Sequence, residues 1–70
     1  MTPDYYKGKG GIQPKQLIRA FDLSFFLGNV IKYICRAGHK HGESKLEALQ
    51  KARDYLNDEI ENEESVKKNV

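Results

Sequence analysis

An all-α fold is what this chain predicts: a short N-terminal helix followed by an antiparallel two-helix hairpin, self-associating. Three observations lead there. Apolar residues recur at spacings of three and four after Ser24 and again after Ser44, and no segment alternates as a strand would. Those two serines, with Gly38 between them, supply the start and stop signals of two helices. Seventy residues with a single cysteine, Cys35, leave room for one small core and no intrachain disulfide. A core of that size contributes only ~3–5 kcal/mol, so association between copies is its expected support.

Residues 1–11 read as a flexible N-terminal arm. Pro3, Gly8, Gly10 and Gly11 break periodicity there, and Tyr5 and Tyr6 place two rings on it. A helical domain over 12–62 follows. Pro14 suits a first helical turn, where its missing N–H costs nothing, and a short helix over about 14–21 would bury Leu17, Ile18 and Phe21. Asp22-Leu23 makes a brief connection, and Ser24 caps the main helix. That helix buries Leu27, Val30, Ile31 and Ile34 and ends at Ala37, with Gly38 in the left-handed position. After the polar loop His39–Glu43, Ser44-Lys45-Leu46-Glu47 forms a capping box. Leu46, Leu49, Ala52, Leu56 and Ile60 then run at helical spacing, and Glu47 with Lys51 makes a favourable i,i+4 pair. The pattern fades after Glu61, so 63–70 is expected as a frayed C-terminal tail. Phe21, Phe25 and Phe26 exceed what one short helix pair covers, which again points to a homo-oligomer.

The net charge of +2 hides a division. Residues 1–42 hold seven basic residues against Asp4 and Asp22, whereas 43–64 hold eight acidic residues against Lys45, Lys51 and Arg53. The basic half attracts phosphates and the acidic half repels a long polyanion, so a small nucleotide fits better than duplex DNA. A solvated face, or acid meeting base between subunits, explains the same division equally well. No apolar run approaches the roughly 20 residues of a membrane span, and the N-terminal stretch has no apolar leader. With its lone cysteine, the chain reads as cytoplasmic.

Within the main helix Asn29, Lys32, Tyr33 and Arg36 share one face. An amide, an ammonium and a guanidinium together suit an anion, with phosphate the first candidate. Lys40 lies just past the helix end. Lys51 and Tyr55 form an i,i+4 pair on the last helix, which antiparallel packing would bring beside Lys32 and Arg36. The bland alternatives are a solvated basic face pairing with the acidic helix and a tyrosine at the rim of the core. Gly8-Lys9-Gly10-Gly11 is not a Walker A loop, which needs Gly-Lys-Ser/Thr between a strand and a helix. Cys35, His39, His41 and Glu43 are poorly spaced for a structural metal, so no metal site is expected. The acidic last helix invites comparison with all-α nucleotide pyrophosphohydrolases. There two helices supply carboxylates; here the facing helix carries Lys and Arg.

The order Tyr6, Gly10-Gly11-Ile12, Leu27-Gly28-Asn29-Val30-Ile31-Lys32-Tyr33-Ile34, Arg36-Ala37-Gly38, Lys40, then Leu49, Lys51-Ala52 and Tyr55-Leu56, resembles a small bacteriophage family of nucleotide kinase-like proteins. The resemblance covers about residues 4–61. It implies a phage-encoded protein handling nucleotides in the host cytoplasm, with a larger relative that is a nucleoside monophosphate kinase lacking a Walker A loop. It carries Asn29, Lys32, Tyr33, Arg36, Lys51 and Tyr55 over as the nucleotide site; the residues themselves add Tyr6 as a ring to stack on the base and Lys40 as one more positive charge, and the one metal expected is magnesium accompanying the nucleotide. Family members often have His-Tyr where this chain has Tyr5-Tyr6, and an acidic residue where it has Gln13. Those departures weaken catalysis more than binding, because phosphoryl transfer rests on positioning and charge neutralisation. The rival expectations are a binding-only protein that sequesters a host nucleotide signal and an interaction module that blocks a host factor.

Overall fold

The computed structural model describes residues 2–68. Among them are three α-helices and no strand: α1, Pro14–Ala20; α2, Phe25–Arg36; and α3, Lys45–Lys68. Two single turns of 3-10 helix, Asp4–Tyr6 and Lys9–Gly11, shape the arm. The expected arm is therefore built of turns, and the first of them packs on α2.

The helix ends follow from local chemistry. Gln13 and Gln16 cap α1 reciprocally, with Gln13 N–H donating to Gln16 Oε1 at 2.8 Å, and Pro14 fills the first helical position. Asp22 adopts the left-handed conformation (φ 53°) in the turn from α1 to α2, which a short polar side chain tolerates. Ser24 Oγ accepts from Leu27 N–H at 3.2 Å and opens α2. Ala37 ends it, and Gly38 at φ 81° turns the chain away. The capping box at α3 is complete: Glu47 N–H donates to Ser44 Oγ at 3.0 Å, and Ser44 N–H to Glu47 Oε1 at 3.1 Å. α3 continues to Lys68, beyond the fading anticipated at Glu61, while Asn69 and Val70 lie outside the described residues.

α1 crosses α2 where Ile18 lies against Gly28; a β-carbon at 28 would sit 3.5 Å from it, an ordinary contact. α2 and α3 pack along most of α2. Contacts at both ends set their register. Ser24 Oγ donates to Glu59 Oε1 at 2.9 Å, and Arg36 and Lys51 share Glu43 at the other end. The core between them is small, with Val30, Ala48 and Ala52 as its buried apolar residues.

Here the apolar stripe expected on the last helix is corrected. Only Ala52 of that stripe is buried; Leu46, Leu49, Leu56 and Ile60 are exposed, Leu46 to 63%. The side facing α2 is Ala48, Ala52, Tyr55 and Glu59. Two alanines let the helices approach closely enough for Tyr33 and Tyr55 to stack, with ring centroids 5.7 Å apart and planes inclined 18°. A leucine stripe in their place would hold the helices apart and break that stack. Leu17, Phe21 and Ile34 are likewise exposed rather than buried. No helix among the described residues is long and apolar enough to cross a membrane.

Candidate functional site

Four segments converge on the last turn of α2. Arg36 is buried there, and its guanidinium holds the Glu43 carboxylate in a two-point fork. Nε donates to Oε1 at 3.0 Å and Nη2 to Oε2 at 2.9 Å. Its third nitrogen, Nη1, donates to the Tyr6 hydroxyl at 3.0 Å, tying the arm to α2. Lys51 Nζ, from α3, donates to the same Glu43 Oε2 at 2.8 Å. The guanidinium lies 4.1 Å from the Tyr33 ring centroid, and Tyr33 stacks in turn on Tyr55. No buried side-chain polar atom among the described residues lacks a partner.

This geometry holds the charges in place. The bond from Arg36, then that from Lys51, lowers the Glu43 carboxyl from 4.5 to about 2. Burial alone would lower the Arg36 pKa; the bonds to Glu43 and Tyr6 outweigh it and raise the pKa instead. The bond to Glu43 also raises Lys51, while burial pushes the Cys35 thiol up. Glu43 therefore stays a carboxylate at every physiological pH and makes a poor proton acceptor.

Of the eight residues expected at the site, Tyr6, Tyr33, Arg36, Lys51 and Tyr55 meet in this hub. Lys32 and Lys40 border it on the arm side. Lys32 Nζ is 5.8 Å from the centroid of Tyr6, Lys40 Nζ is 6.0 Å from that of Tyr5, and the two rings meet edge to face at 4.6 Å. Asn29 is turned back on its own helix, donating from Nδ2 to the Phe25 carbonyl at 2.9 Å. The expected Glu47–Lys51 pair gives way as well: Lys51 reaches Glu43, and Glu47 caps α3.

Glu43 is the residue that reading the sequence missed. It stood among the acidic residues of the second half and in a weak metal set. The available signal was a lone carboxylate in the connecting loop, seven residues after one cation and eight before another. Among the described residues no three His, Cys, Asp or Glu side chains converge.

Beneath the arm lies an open cleft of about 500 Å³, whose lining includes Tyr5, Tyr6, Leu17, Cys35 and His39. A second hollow of about 250 Å³ lies beside it, with Lys15 and Lys32 at its edge. The larger has the volume of a small-molecule site, with the rings of Tyr5 and Tyr6 and the charged Asp4 and Lys7 in its wall, whereas Lys32 borders the smaller hollow.

No curated protein and no solved structure matches this chain. Residues 1–57, which contain the whole hub, both hollows and the arm, match the DUF3310 family, described as a protein of unknown function. The chain belongs to that family.

Proposed function

We propose that this protein binds a nucleotide at the arm, as a phage nucleotide kinase-like protein acting in the host cytoplasm. One observation carries the reading: Lys32 and Lys40 flank the Tyr5–Tyr6 ring pair beside a cleft of nucleotide size. Phosphates bind Lys32 and Lys40, and the base stacks on the tyrosines. Arg36 is a positioning residue, because each of its three nitrogens already donates to Glu43 or Tyr6 and its side chain is buried. The one carboxylate of the hub is tied to two cations, which does not fit a protein-held magnesium; magnesium travels on the nucleotide's phosphates. In the same reading α2 and α3 form an antiparallel hairpin, supported by Ser24–Glu59 at one end and Glu43–Lys51 at the other, and the hairpin self-associates.

Calorimetric titration with mono-, di- and triphosphate nucleotides and cyclic dinucleotides, with and without magnesium, tests this. The Lys32→Ala, Lys40→Ala double variant should bind at least about tenfold more weakly, a loss of about 1.4 kcal/mol, with unchanged thermal unfolding. Binding that is indifferent to both lysines sinks the site. Chromatography of the titrated samples separates sequestration from kinase turnover. Silence across the panel would favour a protein-blocking module presenting the exposed Phe21 and Phe25.

A further inference from the structure

We infer that the outer side of α3 is where a second copy of this chain docks, antiparallel, with Arg53 of each copy against Glu63 of the other. The inference rests on the self-association proposed above and not on nucleotide binding.

Leu46, Leu49, Leu56 and Ile60 are exposed, and with Arg53, Glu63 and Lys67 they occupy every position of a three-four repeat. That is the a and d seam of a two-helix coil. At about 100° per residue the seam lies roughly a quarter-turn around α3 from the Ala48, Ala52, Tyr55 and Glu59 side that meets α2. Docking there leaves the α2 contact undisturbed.

The far end of α3 needs cover. α3 has 24 residues against 12 in α2, about 36 Å against about 18 Å. Ser24, the cap of α2, reaches Glu59, and every side chain from Glu61 to Lys67 is exposed. A helical overhang of that length is marginal in water without a packing partner.

Charge selects the partner and its direction. The first nine residues of α3 carry Lys45, Lys51 and Arg53 against Glu47, whereas 54–64 carry six acidic residues and no basic one. Parallel pairing would lay acid on acid. Antiparallel pairing lays the basic end of one copy on the acidic end of the other, and a two-fold axis supplies each contact twice. Setting Arg53 against Glu63 of the second copy puts Leu56 against its Ile60 and Leu49 against the aliphatic stem of its Lys67.

Sedimentation velocity on the full chain across a concentration series, with helicity followed by circular dichroism, tests the pairing. The wild type should be a dimer. Arg53→Glu and Glu63→Arg should each weaken it about tenfold, and the double reversal should restore it, all at unchanged helicity. A dimer that ignores both single reversals, or that the double reversal does not rescue, overturns the seam while leaving self-association standing. A chain that stays monomeric throughout overturns both.

Discussion

Around Arg36, side chains from the arm, α2, the loop and α3 close on one another, and among the described residues every buried side-chain polar atom has a partner. Along the outer side of α3, by contrast, leucines stand in the open, and the Arg53–Asp54 pair at 3.6 Å lies exposed to solvent. Both regions are rich in charge, and only one is organised by it. The difference teaches where a domain with so little buried apolar volume finds its definition. A core of one valine and two alanines cannot specify how α2 and α3 meet. The fork on Glu43 and the Tyr33–Tyr55 stack do, because each accepts one geometry.

The contrast breaks most sharply at Arg36. Arg36→Ala removes the buried guanidinium and leaves the half-buried Glu43 carboxylate with one of its two cations, and is expected to be the most destabilising of these changes. Thermal unfolding should then fall by more than about 10 °C. Arg53→Ala, on the open side of α3, should stay within about 0.5 kcal/mol when measured at dilutions that keep the chain monomeric. Equal losses at the two arginines would erase the distinction between the regions. Acid gives the next largest effect. Glu43 contributes its full stabilisation above its ordinary 4.5, and that contribution is lost as pH falls toward its folded value of about 2. Denaturant midpoints should drop across that window, and Glu43→Gln should flatten the drop while lowering stability at neutral pH. The smallest change sharpens the other end of the helix pair. Ser24→Ala removes both the α2 cap and the bond to Glu59, and should cost about 1 kcal/mol in the same unfolding assay.

Features that depend on neighbours in sequence were legible from the residues alone. Ser24, Gly38 and the Ser44–Glu47 box act over three or four positions, so their chemistry is visible without a fold. The rotation of α3 was not visible. Four large apolar residues outweigh two alanines on any hydrophobicity reading, yet the alanines face α2 because close approach and ring stacking decide the contact. Tyr6, Tyr33, Arg36, Lys51 and Tyr55, named together from the sequence, do lie together in space. What spacing could not reveal was that Glu43 already satisfies the two cations at the centre, leaving Lys32 and Lys40 at the edge.

Arg36 also joins partners at very different distances along the chain, Glu43 seven residues away and Tyr6 thirty. The short loop into α3 closes on the scale of ~10–100 ns, while the longer closure carries the greater entropy cost. Folding should therefore assemble α2 with α3 first and bring the arm down last. Under mild destabilisation the same order runs backwards, so the arm lifts while the helices hold. The cleft beneath it then opens by breaking the Tyr6–Arg36 and Thr2–Gln13 bonds and the packing of the first turn on α2, and access to that cleft becomes a local unfolding event with its own rate.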